Sequence, residues 1–386
     1  MSHPDGLKIL LIYDCVYPES VGGVEHRNHQ MAKALGDLGH RVTIAGFTTR
    51  PRQIGPRSRV ESLGRPGKLY TRGGRRSIRE ALRLVLAVIR LDLRAFDVVE
   101  TANIPYLHVL PLAIKCRLGG RPLLVTWHEY WGTYWRRYLG SVLWLPAAAI
   151  EWLTIRMGTQ VLAVSELTAR RLRRRCRGRT IAVLPNGISI DRIRATESSE
   201  RQGAPLIHAG RLQKEKRVDV LLRAVRRLDP ADGEPFLVIV GDGPEKENLE
   251  ALARELDLGA RVVFTGRVPD SRDVWQLMAG AKLAVQPSYR EGFGLFPLEA
   301  MALGLPVIYC ASPENAVSEL VRDGREGLCS EATPADLADA IERLLADDEE
   351  RERMGRAARA RAEEYDWPRI AVALETLLED LVTKSR

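Results

Sequence analysis

The most informative stretch of the sequence is residues 283–308, LAVQPSYREGFGLFPLEAMALGLPVI. It begins with a short apolar run that a proline ends, which is typical of a buried strand followed by a turn. Gly292 and Gly294 then allow a tight bend or a close approach to a ligand, and the next proline suits the first turn of a helix. The pattern predicts a strand, a glycine loop, a helix and a second strand, with Glu291 on the loop and Glu299 on the helix.

Carboxylates at such a junction have more than one interpretation. Glu291 alone would fit a solvated loop charge, and Glu299 alone would fit an acidic residue favoured by the helix dipole. The surrounding residues, EGFGL at 291–295 and LEAM at 298–301, resemble the signature of retaining, nucleotide-sugar-dependent glycosyltransferases of family four. The resemblance implies an α/β protein of the GT-B fold, in which two Rossmann-like, doubly wound domains face each other across a cleft.

The same resemblance implies roles for the residues of this stretch. Glu291 would face the transferred sugar and act in catalysis, and Glu299 would hold the ribose hydroxyls of the nucleotide. The rest of the loop is expected to bind substrate through Gly292, Phe293, Gly294 and Leu295.

A second glycine pair follows the first predicted strand, residues 8–13, and precedes the helix predicted over 26–38. Gly22 and Gly23 would let the backbone approach a phosphate or a substrate closely. Glycine turns are common at such junctions, so the pair alone is a weak signal. Under the family resemblance it would lie against the donor diphosphate and the acceptor.

Residues 127–135, WHEYWGTYW, follow another predicted strand. A single histidine there is more often structural, but the family typically has one near the donor sugar, and the resemblance implies a catalytic role for His128. The aromatic residues of this segment have three interpretations: core packing, a sugar-stacking acceptor wall, or a belt at a membrane interface.

The second domain is predicted to begin with a strand at 206–209. Gly210 then leaves room for a phosphate, and Arg211 and Lys216 supply the positive charge that a diphosphate requires. The resemblance implies that these two cations form a phosphate clamp that takes part in catalysis, and that Val268 lies beside the nucleotide base.

Length and composition agree with two domains. The chain has 386 residues, of which 45% are hydrophobic, and this is too long for one ordinary core. We predict an acceptor-binding domain over 1–195, a donor-binding domain over 203–370 and a final helix, 371–386, that crosses back to the first domain. The polar segment between the domains is the predicted linker. Residues 50–79, rich in Arg, Gly and Pro, are expected to form a loop.

The charged and apolar runs of the sequence indicate where in the cell the protein is expected. No apolar run is expected to be long enough to span a membrane, and no signal-peptide pattern is present, so we expect a cytoplasmic protein. The net charge of +8 is formally compatible with nucleic acid, but no nucleic-acid-binding module accompanies it. The basic runs near 72–94 and 170–179 leave peripheral contact with an anionic membrane open as an alternative to a solvated face. Five cysteines without a Cys-x-x-Cys pair indicate neither a disulfide framework nor a zinc site.

The expected activity is transfer of a hexosyl group, with retention, from a UDP- or GDP-sugar to a hydroxyl of a glycan, a lipid-linked or a small-molecule acceptor. Such an activity would suit cell-envelope polysaccharide or glycoconjugate synthesis. No Asp-x-Asp motif occurs, and Arg211 with Lys216 can neutralise the leaving group, so neither a metal nor a cofactor is expected. The alternatives are a sugar-nucleotide epimerase of the same architecture and a non-catalytic nucleotide-sugar-binding protein.

Overall fold

The computed structural model describes residues 6–20, 22–71, 75–176, 178–196, 203–228 and 236–385. The chain divides into two compact units, Met1–Gly187 with Trp367–Arg386, and Ile188–Asp366. The second unit thus begins earlier than the predicted residue 203, because Ile188 donates its N–H to Tyr365 O at 2.8 Å and pairs with Asp366. The helix predicted to cross back from 371 begins at Trp367. Residues 197–202 of the predicted linker lie outside the described residues.

The first unit contains one eight-stranded sheet. Its strands are β1 (Lys8–Ile12), β2 (Arg41–Gly46), β3 (Arg52–Gly55), β4 (Ser58–Ser62), β5 (Val98–Ala102), β6 (Leu123–Trp127), β7 (Gln160–Ala163) and β8 (Ile181–Val183). The strand order is β3-β4-β2-β1-β5-β6-β7-β8, and every pair is parallel except β3 with β4. Apart from the antiparallel edge strand, this is a doubly wound arrangement in which the direction of winding reverses between β1 and β5.

The second unit contains a six-stranded parallel sheet and a small two-stranded one. Its strands are β9 (Leu206–Ala209), β10 (Leu237–Val240), β11 (Val262–Gly266), β12 (Leu283–Gln286), β13 (Arg290–Glu291), β14 (Val307–Cys310), β15 (Glu314–Asn315) and β16 (Gly327–Ser330). The larger sheet has the order β11-β10-β9-β12-β14-β16, and β13 pairs with β15. This is the Rossmann strand order, with its reversal between β9 and β12.

Helices connect the parallel strands in both units. In the first unit they are α1 (Gly23–Asp37), α2 (Ile78–Arg90), α3 (Val109–Leu118), α4 (Tyr134–Met157) and α5 (Glu166–Arg175). In the second they are α6 (Ile190–Arg194), α7 (Val218–Arg227), α8 (Lys246–Glu255), α9 (Ser271–Ala279), α10 (Leu295–Ala302), α11 (Val317–Leu320), α12 (Pro334–Ala346) and α13 (Asp348–Ala362). The last helix, α14 (Trp367–Ser385), returns to the first unit.

The first sheet is covered on both faces because successive strand residues point to opposite sides. Leu10 and Ile12 of β1 join one core cluster with α2, α3, α4 and α5. Ile9 and Leu11 of the same strand join another with α1 and α14. The two faces therefore carry different sets of helices.

Two expectations from the sequence were wrong. The loop expected over 50–79 contains β3 and β4, because β4 extends the sheet beside β2 and buries Val60. The sequence also showed no run of membrane-span length, whereas α4 is long and apolar enough to cross a membrane by length and composition. This helix is kinked at Gly140 and contains Pro146, and these two breaks obscured it in the sequence.

Candidate functional site

The predicted site residues of the second unit lie where its strands end. Gly210 follows β9 and Glu291 comes shortly after β12, and these two strands are neighbours at the point where the sheet's winding reverses. Ligands of open α/β sheets bind at this edge. Two motifs that lie far apart in the sequence are therefore brought to the same edge of the sheet.

Lys216 and Glu291 form the centre of this site. Their side chains make an ion pair and are only 19% and 17% exposed. Gln286 Nε2 donates to the same Glu291 oxygen at 2.9 Å and to Ser288 Oγ at 2.9 Å. The Glu291 carboxylate is thus held by a cation and an amide. Arg211, half-buried, lies on the same connection between β9 and α7 as Lys216.

The glycine loop leads directly into α10. Gly294 has a φ of 107°, in the left-handed region that favours glycine, and a Cβ there would come within 2.9 Å of Val317 Cγ2. Phe293 is buried, with its ring 6.1 Å from that of Tyr365, while Gly292 and Leu295 are half-buried. The loop is therefore fixed by packing on both sides of the helix N-terminus.

Glu299 lies on α10, and Val268 follows β11. The Glu299 side chain keeps some solvent-accessible surface, but protein surrounds it closely enough for burial to raise its carboxyl pKa to about 7. Val268 is half-buried. A carboxyl with this pKa is only partly ionised at neutral pH.

His208, the third residue of β9, belongs to this site, although no role for it was predicted. Its Nδ1 lies 2.9 Å from Val285 O, so Nδ1 carries the proton and Nε2 presents a lone pair. Burial lowers the pKa of His208 to about 4. Nε2 has no hydrogen-bond partner among the described residues, and it lies 3.9 Å from where a Cβ on Gly210 would stand. The sequence carries one signal that could have indicated this: a histidine inside an otherwise apolar strand that ends at a glycine turn.

In the first unit, the predicted glycine pair begins α1. Gly22 is the residue before the helix, and Gly23 is its first residue. The Glu25 carboxylate lies over this turn, with its oxygens 2.9 Å from where a Cβ on Gly22 would stand, and it accepts a hydrogen bond from Ser20 Oγ at 2.6 Å. The helix N-terminus therefore already faces one carboxylate of the protein.

His128 follows β6 and is partly exposed. Its backbone N–H donates to Asn103 Oδ1 at 3.4 Å. Burial, assisted by the charge of Arg27, lowers the pKa of His128 to about 3, so the imidazole is neutral at physiological pH. It can exchange hydrogen bonds with a hydroxyl but is a poor base.

A buried ion pair in the same unit was not anticipated from the sequence. Arg27 Nη1 donates to Glu100 Oε1 at 2.7 Å, and Thr126 Oγ1 donates to the same oxygen at 2.7 Å. Both charged side chains are almost completely buried. Charged residues are usually exposed, so the sequence does not indicate that either one is buried. Arg27 lies on α1 and Glu100 on β5, and only the fold brings them together.

Most of the aromatic segment is core. Trp127 and Trp135 are buried, and Trp131 packs against Trp135 and Tyr138 with centroids 4.6 and 4.7 Å apart. Of the five tryptophans between 127 and 152, Trp152 is exposed. Core packing, the first of the three interpretations, therefore accounts for the segment's centre.

The predicted site residues thus fall into two groups, one in each unit. Within the described ranges, no group of three or more His, Cys, Asp or Glu side chains could hold a metal ion. The five cysteines are free, and four of them are buried.

Two protein-family models match the chain, one on each half. Residues 21–192 match the model "Glycosyltransferase Family 4", and residues 189–361 match "Glycosyl transferases group 1". The chain belongs to the group 1 glycosyltransferases.

Curated relatives match parts of this glycosyltransferase chain. The D-inositol 3-phosphate glycosyltransferase of Corynebacterium jeikeium is 37% identical over 220 residues, which are 52% of this chain and 52% of that protein. The GDP-mannose-dependent alpha-(1-6)-phosphatidylinositol dimannoside mannosyltransferase of Mycobacterium tuberculosis is 34% identical over 181 residues, 47% of this chain and 45% of that protein. The chain spans about half the length of these relatives.

A solved structure matches almost the whole chain. Sucrose-phosphate synthase from Thermosynechococcus elongatus superposes with a TM-score of 0.81 at 22% identity, and covers 98% of this chain and 100% of that one. At this identity the likeness concerns the fold. The GT-B fold class predicted from the sequence is confirmed, with a parallel α/β sheet in each unit.

Proposed function

We propose that the protein transfers a hexosyl group, with retention of configuration, from a nucleoside-diphosphate sugar to an acceptor hydroxyl. The donor is a UDP- or GDP-sugar, and the acceptor is a glycan, a lipid-linked or a small-molecule hydroxyl. One observation carries the proposal: Lys216, Glu291 and Gln286 form a charged, hydrogen-bonded cluster at the strand ends of a Rossmann-type sheet. The names of the two curated relatives describe glycosyl transfer, and one of them includes GDP-mannose.

In this proposal two cations stabilise the diphosphate as it leaves. Arg211 and Lys216 lie on one short connection after β9, and Gly210 leaves space beside them. Two positive groups can stabilise the charge that grows on the leaving phosphate without a metal ion. We therefore propose a metal-independent reaction that needs no cofactor.

Glu291 serves the sugar in this proposal. Its carboxylate is paired with the Lys216 ammonium, and an anion near the sugar stabilises an oxocarbenium-like transition state. No covalent bond to the carboxylate is required, since the leaving phosphate can take the acceptor's proton on the same face. His128, neutral and partly exposed, positions a sugar hydroxyl by hydrogen bonding.

The other residues bind the donor. Glu299 accepts hydrogen bonds from the ribose hydroxyls, and Val268 contacts the base. The backbone of the glycine turns approaches the phosphates and the sugar. These contacts are made by Gly22, Gly23, Gly210, Gly292, Phe293, Gly294 and Leu295.

The experiment is a thermal-shift panel of UDP, GDP, ADP and their sugars. A nucleoside diphosphate at 100 times its dissociation constant stabilises the folded protein by about 2.7 kcal/mol. We expect one base to be preferred, and the shift to vanish in the double variant Arg211→Ala with Lys216→Ala. If no nucleotide shifts the melting temperature, the proposal is wrong.

Product analysis separates the rival activities. A donor that is converted to its epimer without any acceptor would identify an epimerase. A donor that binds but is never consumed, with water or with any acceptor, would identify a binding protein. Release of nucleoside diphosphate together with a glycosylated product supports transfer.

A further inference from the structure

Three helices of the first unit carry an apolar surface on their outer sides. α2, α3 and α4 cover the same face of the eight-stranded sheet, since all three contribute to one core cluster, and α3 contacts both of the others. Most of the large apolar side chains that are exposed within the described ranges lie on these helices. They are Ile78, Leu82, Leu86, Ile89, Ile114, Leu118, Val142, Leu143, Leu145, Trp152 and Leu153, which we call the α2–α4 surface.

The apolar residues of α2 form a single stripe. Ile78, Leu82, Leu86 and Ile89 recur at helical spacing, and each is at least half exposed. At 1.5 Å per residue the stripe is about 17 Å long. The opposite side of the same helix already packs in the core. The outer stripe is therefore additional to what folding requires, and a patch of this kind marks an interaction site.

α4 extends this patch along the surface. Only 17% of its most apolar 18-residue window is buried, and Val142 and Leu145 are 78% and 59% exposed. The helix is nevertheless fixed to the unit, because Glu151 is buried and accepts hydrogen bonds from the backbone N–H groups of Trp131 and Gly132, each at 2.8 Å. A helix held by its inner side in this way lies on the protein rather than crossing a bilayer.

Every exposed charged side chain on the three helices is basic. Their only carboxylates, Glu80 and Glu151, are both buried. The Arg156 guanidinium lies over the Trp152 ring, 3.7 Å from its centroid, so one cation accompanies an exposed aromatic ring. The exposed basic residues of α2, α3, α4 and the neighbouring α5 are Arg79, Arg90, Arg117, Arg136, Arg137, Arg156, Arg170, Arg173, Arg174 and Arg175. Arg72 and Arg177 of the predicted basic runs lie outside the described residues.

We propose that the α2–α4 surface docks on an anionic lipid bilayer. Apolar side chains would enter the boundary between headgroups and acyl chains, while the arginines around them would meet anionic headgroups. A second copy of the chain fits less well, since it would bring together the arginines of α2, α3 and α4, whose own carboxylates are buried. This inference concerns the first unit's surface and does not depend on the proposed transferase activity.

Vesicle co-sedimentation of the full chain tests the inference. The vesicles are phosphatidylcholine alone, or phosphatidylcholine mixed with phosphatidylglycerol. We expect binding to the mixed vesicles at low salt, weaker binding as salt rises, and much less binding to the neutral vesicles, because salt screens the arginine contacts.

Two variants and a matched control locate the contact. Leu82→Glu with Leu86→Glu places charge in the apolar stripe, and should lower the partition coefficient at least about tenfold. Arg79→Glu with Arg90→Glu should reduce the preference for anionic vesicles, since it reverses two of the exposed positive charges. Val263→Glu with Leu277→Glu is the control in the second unit, where these side chains are 37% and 36% exposed, and it should bind as the wild type does. Unchanged melting temperatures show that the variants are folded.

Four results would overturn the proposal. They are the absence of binding to either vesicle type at low salt, full binding by the Leu82→Glu, Leu86→Glu variant, and equal binding to neutral and anionic vesicles. The fourth is protein that stays in the membrane after an alkaline carbonate wash, since that would mean that α4 crosses the bilayer. Sedimentation velocity adds one check. If the wild type dimerises and does not bind vesicles, and Leu82→Glu with Leu86→Glu abolishes the dimer, the surface binds a second copy of the chain instead.

Discussion

The ion pair of Lys216 with Glu291 leads to a prediction in which two substitutions act in opposite directions. In the ligand-free protein the Lys216 ammonium is bound to Glu291, so a donor diphosphate must compete with that carboxylate for it. Glu291→Gln removes the competitor and one negative charge beside the phosphates. Lys216→Met removes the cation itself. Nucleoside-diphosphate binding should therefore tighten in the first variant and weaken in the second.

The magnitudes follow from the partial burial of the pair. A partly exposed ion pair is worth about 1 kcal/mol or less, so releasing Lys216 should tighten nucleoside-diphosphate binding by up to about fivefold. A hydrogen bond from an ammonium to a phosphate contributes about 1.5–3 kcal/mol, so Lys216→Met should weaken binding by about 10- to 150-fold. Sugar transfer should be lost in both variants, because Glu291→Gln removes the anion that stabilises the transition state.

Isothermal titration calorimetry with UDP and GDP measures these affinities. Lys214→Met is the matched control, since Lys214 is an exposed lysine in the same short helical turn, Lys214–Lys216, and its loss should change the dissociation constant less than twofold. The double variant should lose most of the gain from Glu291→Gln, because that gain acts through Lys216. If Glu291→Gln weakens binding as much as Lys216→Met does, the reasoning is refuted, because the carboxylate would then contact the ligand directly.

Four further predictions concern other residues and conditions. Arg211→Ala should weaken nucleoside-diphosphate binding about tenfold or more with an unchanged melting temperature, and unchanged calorimetric affinity would contradict the clamp. Because the Glu299 pKa is raised to about 7, its carboxylate becomes protonated as pH falls, and nucleotide affinity should drop by up to about tenfold from pH 8 to 6. Glu299→Gln should remove that part of the pH profile. Parallel profiles in the wild type and the variant would disprove the ribose contact. Transfer should persist in excess chelator, whereas activity that returns only with added divalent metal would show a metal requirement. Glu100→Gln should destabilise the fold by about 3 kcal/mol in urea unfolding, since it leaves Arg27 buried without its counter-charge, and a loss below about 0.5 kcal/mol would show that the pair is not needed.

The sequence predicted local features well. The strand, glycine loop and helix around Glu291 are specified within a few residues by a strand end, a glycine that needs a positive φ, and a proline at the start of a helix. Ser165 precedes α5 and is of a residue type that favours helix N-caps, and its side chain accepts a hydrogen bond from Thr168 N at 3.2 Å. Signals of this kind need no knowledge of distant parts of the chain.

What the sequence missed depends on distant contacts. β4 forms because β2 offers a sheet edge, and the unit boundary lies at Ile188 because that residue pairs with Asp366, far along the chain. His208 belongs to the site because the fold places its ring beside Val285 O and Gly210. Arg27 and Glu100 become one buried pair only when α1 packs on the sheet. Propensity and spacing carry no information on such pairings.

The central claim, retaining transfer from a nucleoside-diphosphate sugar, can be tested most directly with water as the acceptor. The donor that stabilises the protein best in the thermal-shift panel is incubated with concentrated protein, and proton NMR follows the released sugar before its anomers equilibrate. From an α-linked donor we predict that the α-anomer appears first, together with nucleoside diphosphate, and that Glu291→Gln releases neither. First appearance of the β-anomer, or a donor that binds but is consumed neither with water nor with any acceptor, would contradict the account.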